Sequence, residues 1–224
     1  MKKTRHLVIA IVAVAIVLGI GAVGAYAGMA GDATPPVTTS DVALSYTGDV
    51  AFSLNATDAE GVAYLYHRFD KGVARLYTVA TDTVHPSVAI AAPTAADTPM
   101  SLGKHTVKFW AQDVNGNVEA QQTATFTVNP ALTLARSAAV VNAGRYFTLS
   151  GALKPADDRM VAIQAKKPGA SAFKNLSTRT TDAAGAYSYR YRTVVKGTWS
   201  FRTYFRDTKT ELSAMSATVK VRIK

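Results

Sequence analysis

Four carboxylates near turns, Asp58, Glu60, Asp113 and Glu119, form the only acidic cluster whose residue types suit acid–base chemistry. Hydrolysis of a glycosidic bond would need two of them facing each other across a cleft, roughly 5–9.5 Å apart. All four sit beside turn signals, Glu60-Gly61 or Asn115-Gly116, which argues against an enzyme. Asp113, Asn115, Asn117 and Glu119 also place oxygens at alternate positions, a pattern that suits calcium. The order of an EF-hand loop fails, because Gly116 falls too early and no acidic residue stands at the twelfth position. The favoured reading is a turn made by Asn115-Gly116 and capped by its polar neighbours. The four histidines, His6, His67, His85 and His105, include no His-x-x-x-His pair, so they predict neither a metal site nor a triad. With no cysteine in the chain, disulfides and thiolate metal sites are excluded. No cofactor is expected, and the chain is read as non-enzymatic.

The second chemistry is cationic. If Trp199, Phe201 and Phe205 point inward on a strand, Arg202, Tyr204 and Arg206 point outward. The same count puts Lys220, Arg222 and Lys224 outward on the last strand, and Gln164 and Lys166 outward on an earlier one. If these strands share a sheet, Lys166, Arg202, Tyr204, Arg206, Lys220 and Arg222 make one dense cationic face. Arg190 and Arg192 face outward as well, with the opposite sheet as one placement. Such a face attracts anionic wall polymers, acidic glycans, anionic lipid headgroups or extracellular nucleic acid. Nucleic acid is the least favoured target, since one aromatic is a thin platform for base stacking. A charged face that keeps a domain soluble and blunts edge pairing accounts for the same residues.

The elements that would carry these residues read as strands. Val50, Phe52, Leu54 and Ala56 alternate with Ala51, Ser53, Asn55 and Thr57. Val107, Phe109 and Ala111 form a second apolar set, and Ala124, Phe126 and Val128 a third. One buried and one solvated face is the pattern of antiparallel sandwich strands. Val62, Tyr64 and Tyr66 oppose Leu65, His67 and Phe69, which leaves the buried face of that strand open. Beyond residue 130, seven strands are expected, among them Phe147–Leu153, Val161–Ala165, Phe173–Leu176, Tyr187–Tyr191, Trp199–Phe205 and Val219–Ile223. The fold class expected is all-β, two tandem antiparallel sandwiches at 37–129 and 131–224 behind one N-terminal apolar helix.

Charge divides along the same line. Residues 32–130 hold five Lys and Arg against ten Asp and Glu, whereas residues 131–224 hold seventeen against five. The first expected domain is acidic and the second basic, a contrast that bears on partners rather than on fold.

Residues 1–30 read as a signal peptide or membrane anchor, and 31–36 as a linker ending at Pro35-Pro36. Lys2, Lys3 and Arg5 precede an uncharged apolar run over residues 7–27. Positive charge followed by apolar sequence keeps the N-terminus inside and sends the remainder across. The run is long enough, at 1.5 Å per residue, to reach roughly 30 Å and span a bilayer. Ala25-Tyr26-Ala27 has the small-x-small form of a cleavage site, which would start the mature chain at Gly28. The expected location is therefore outside: membrane-anchored with the C-terminal domains exported, or secreted after cleavage near Ala27.

Several segments carry a resemblance. Thr34-Pro-Pro-Val-Thr-Thr-Ser40, Ala56-Thr-Asp58 with Gly61-Val62-Ala63, Gly103-Lys-His-Thr-Val-Lys-Phe-Trp110 and Asp113-Val-Asn-Gly-Asn-Val-Glu119 resemble an Ig-like repeat of bacterial exported proteins, among them the OmpL47-type domains. Asp70-Lys71-Gly72 departs from the Asp-Gly-Gly usual in that repeat, and the Ala/Pro-rich stretch before Gly103 is longer. Thr148-Leu-Ser-Gly-Ala-Leu-Lys-Pro155, Asp182-Ala-Ala-Gly-Ala-Tyr-Ser-Tyr189 and Gly197-Thr-Trp-Ser-Phe-Arg202 resemble the bacterial Ig-like modules that follow such repeats. The resemblance implies Ig-like sandwiches with a structural or adhesive role and no catalytic residues.

Overall fold

A computed structural model describes residues 32–79, 84–92 and 100–224. The apolar run at 7–27 and the cleavage point near Ala27 lie outside the described residues. Every regular element among those described is a strand, and none of them is a helix long and apolar enough to cross a membrane.

Up to residue 129 the strands are β1 (Val37–Ser40), β2 (Ser45–Thr47), β3 (Val50–Thr57), β4 (Val62–Phe69), β5 (Arg75–Thr78), β6 (Ser87–Ala92), β7 (Gly103–Asp113) and β8 (Gln122–Asn129). They form a three-stranded sheet, β1-β3-β6, and a five-stranded sheet, β2-β8-β7-β4-β5. The alternation of β3 buries Val50, Phe52, Leu54 and Ala56, and that of β7 buries Val107, Phe109 and Ala111. Successive side chains of a strand point to opposite faces, so apolar residues at every second position give one dry side.

On β4 the register against β7 shifts between Val62 and Tyr64. The extra residue of this bulge lets Val62 and Leu65, three apart, both point inward. It also turns Tyr66 outward, where it stacks on Trp110 with ring centres 5.1 Å apart. Gly116 takes φ +92°, the left-handed conformation this turn requires. The hairpin it belongs to is closed by an antiparallel bridge from Gln112 to Val118, and β8 begins only at Gln122.

From residue 131 the strands are β9 (Ala131–Leu132), β10 (Ala135–Arg136), β11 (Val140–Val141), β12 (Tyr146–Lys154), β13 (Met160–Lys166), β14 (Lys174–Thr180), β15 (Ala186–Arg192), β16 (Gly197–Arg206), β17 (Ser213–Met215) and β18 (Val219–Ile223). One sheet runs β10-β12-β15, with β9 also on β12; the other runs β11-β18-β16-β13-β14, with β17 on β16. Their inner faces share one core of Val141, Phe147, Leu149, Ile163, Ala165, Trp199, Phe201, Val221 and Ile223. Phe147 of the first sheet meets Phe201 of the second edge-on at 5.6 Å, and Tyr191 meets Trp199 at 5.9 Å. Each large side chain removed from water here contributes about 1.5–3 kcal/mol.

More segments form here than the seven expected, because the stretch opening this half is interrupted. β9 and β10 keep one register along β12. Between them the Thr133 hydroxyl accepts the Ala152 N–H at 2.9 Å, a side chain standing in for a backbone partner. β11 then leaves that sheet and pairs parallel with β18 of the other. Among the described residues, contacts define two compact units, one of 32–40, 53–79, 84–88 and 107–123, the other of 41–52, 89–92, 100–106 and 124–224. Among the described strands no pairing crosses residue 130.

Candidate functional site

The outer face of the sheet β11-β18-β16-β13-β14 carries the basic residues picked out by alternation. Lys166 on β13 stands opposite Ser200 on β16, and Ser200 opposite Lys220 on β18. The two lysines are thus two strands apart, roughly 10 Å at the backbone. One step along, Gln164 faces Arg202, and on the other side Thr198 faces Arg222. Lys166, Arg202, Lys220 and Arg222 have no ion pair among the described residues.

Arg202 is held in place. Its Nε donates to Gln164 Oε1 at 2.8 Å, and Gln164 Nε2 donates to Asn175 Oδ1 at 2.9 Å. Its guanidinium lies 4.1 Å from the centre of the Phe173 ring, and Lys166 Nζ lies 5.5 Å from the same ring. A cation over an aromatic face contributes about 0.5–1 kcal/mol at an exposed site. A fixed guanidinium loses less freedom when an anion binds it.

The other two expected members differ. Tyr204 shares the face but stands beside Ala162 and Met215, farther along β16 than the cations. Arg206 is spent in an ion pair with Glu211 and adds no net charge. Phe173, which sequence reasoning placed on a strand with Leu176, precedes β14 instead. The two are three residues apart, which one face of a regular, unbulged strand does not accommodate, and this spacing was the available signal.

On the opposite sheet, β15 presents Arg190 and Arg192 outward, paired in register with Thr148 and Tyr146 of β12. Their guanidinium carbons lie 4.1 and 5.1 Å from the Tyr146 ring centre. An open groove of about 770 Å³ adjoins them on this sheet, lined by Thr133, Ser150, Gly151, Asp182, Tyr187 and Ser188 among others.

Among the acidic residues, Asp113 is 2% exposed and serves the turn. Its Oδ1 accepts the N–H groups of Asn115 and Asn117 at 2.9 and 2.7 Å, and its Oδ2 accepts the Asn117 amide at 2.7 Å. Glu119 accepts the N–H groups of Ala111 and Thr38, both at 2.9 Å. The oxygens of Asp113 and Glu119 are thus engaged by the turn and by the strands beside it. The carboxylates that do approach are Asp32, Asp58 and Asp113, with one oxygen of each within 4.8 Å of the others. Asp58 Oδ1 already accepts the N–H groups of Glu60 and Gly61, and Asp32 Oδ1 that of Thr34. His67 and His105 are buried, His67 between Phe69 and Tyr77.

No family model matches the chain, and no curated protein matches it. Among solved structures it is similar to dimeric latent PorU from Porphyromonas gingivalis, at 13% identity and TM-score 0.38, covering 86% of this chain and 20% of that one. It is also similar to a tetra-tandem repeat in the extending region of a large adhesion protein, at 22% identity and TM-score 0.36, covering 85% and 50%. Fibronectin(III)-like modules of Clostridium thermocellum CbhA are similar at 13% identity and TM-score 0.32, covering 84% and 93%. The chain thus spans a fifth of the length of the PorU chain and half that of the adhesion repeat.

Proposed function

We propose that this chain is an exported, non-catalytic protein of bacterial Ig-like modules, of the OmpL47-type kind, serving adhesion, spacing or interaction at the cell envelope. The apolar leader with its basic flank supports export. The non-catalytic reading is supported by the acidic side chains at Asp113 and Glu119, whose oxygens are taken up by backbone N–H groups. Fractionation followed by N-terminal sequencing tests it. An intact leader in the membrane fraction, or Gly28 as first residue outside the cell, is expected; an intact chain in the cytosol overturns it.

A second reading is favoured by a specific observation: Lys166, Arg202, Lys220 and Arg222 share one sheet face without ion pairs among the described residues. That face suits an anionic envelope polymer or acidic glycan. Retention on immobilised heparin that weakens with salt and falls in R202E/K220E is the expected result. Retention unchanged by the double reversal, or absent from the parent, overturns it.

A further inference from the structure

The two outer faces of the sandwich built from β9–β18 point in opposite directions, and both are cationic. One bears Lys166, Arg202, Lys220 and Arg222; the other bears Arg190 and Arg192. Neither arginine of the second face has an ion pair among the described residues. Each face also carries an aromatic ring under its guanidinium groups, Phe173 on one and Tyr146 on the other. The two rows are separated by the thickness of a two-sheet core, about 10 Å between backbones, so a single thin chain cannot lie flat on both.

We infer that this sandwich bridges two strands of an acidic polysaccharide, one on each face, an inference that rests on the polymer-binding reading above. Charge complementarity selects a polyanion. The groups between the cations select a sugar chain over a bare phosphate chain. Gln164, Asn175 and Thr198 lie among the cations of one face, and Thr148, Ser150 and Ser188 beside the arginines of the other. These neutral hydroxyl and amide groups can hydrogen-bond the hydroxyls that a polysaccharide carries between its acid groups. Binding on opposite faces makes each copy divalent, so a polymer mesh gains avidity with no new contact.

The test is a capture assay with the chain as recovered from cells. It is loaded on immobilised heparin, washed, and offered fluorescent heparin in solution. The parent should hold the labelled polymer. R202E/K220E and R190E/R192E each reverse exposed or half-exposed strand positions on one face only, and circular dichroism checks that both remain folded. Each should still be retained on the column, at lower salt than the parent, while capture of labelled heparin falls to background. Inorganic polyphosphate should compete less well than heparin at equal charge; equal or better competition overturns the choice of a sugar polymer. Parent retention without capture overturns bridging and leaves single-face binding standing. Capture that persists in both variants also overturns bridging. A parent that is never retained overturns the polymer-binding reading itself.

Discussion

His67 is buried on β4, stacked on Tyr77 at 5.5 Å and edge-on to Phe69 at 5.0 Å, and its Nδ1 has no hydrogen-bond partner among the described residues. Burial, and to a lesser degree Arg75, lowers its pKa to about 4 from the usual 6.5. Between those values the unfolded chain binds a proton that the folded chain refuses. The stability gained from neutral burial is complete above pH 6.5 and is lost as pH falls toward 4, by about 3 kcal/mol. His67→Phe keeps the ring packing and removes the proton site. The stability of H67F relative to the parent should therefore rise by about 3 kcal/mol between pH 7 and pH 4, as read from urea unfolding at both. Asp113→Ala removes the acceptor of three hydrogen bonds inside the hairpin. Bonds to a charged acceptor contribute more than neutral ones, so a loss of about 3 kcal/mol in the same assay is expected at pH 7.

At the level of strands, much was legible because a period of two has one physical cause, the pleat. The buried sets of β3, β7, β12, β13 and β16 follow directly from it. What the alternation could not carry were events that break it or span distance. The bulge at Ala63 reverses the parity of β4. Asp32 joins Asp58 and Asp113 from far away in sequence, through a tertiary fold that no local spacing encodes. The cationic face was legible as a strand parity, but Glu211 neutralising Arg206 and Phe173 folding over Arg202 depend on loop paths. β12 also holds a constraint specific to glycine. A Cβ on Gly151 would fall against the Thr133 carbonyl and the Tyr187 hydroxyl. That hydroxyl donates to the Thr133 carbonyl, lies 2.9 Å from Thr203 Oγ1, and has its pKa pushed up to about 12 chiefly by burial. Gly151→Ala should push β9 and β10 off β12 and cost about 1–3 kcal/mol, the penalty of overpacking. Calorimetry should show the lowered Tm.

For the whole molecule, the charge contrast is the dominant property: seventeen basic against five acidic residues over 131–224, five against ten over 32–130. The basic part of one copy should attract the acidic part of another, a head-to-tail contact between different surfaces. At about 0.01 M salt the screening length is about 30 Å, and at 0.15 M about 8 Å. Sedimentation velocity should accordingly show larger species at low salt that dissolve as salt rises; a coefficient independent of salt would count against this attraction. One topological detail has a bearing on how the molecule is made. β18 lies between β11 and β16, and its Val221 and Ile223 are in the core. Until Ile223 has emerged, β11 has no strand to pair with and β16 is unpaired on one side over Gly197–Phe201. The sheet β11-β18-β16-β13-β14 cannot be completed early. A chain still being synthesised therefore keeps this part of its basic half unlatched until β18, a keystone far downstream of β11, has emerged.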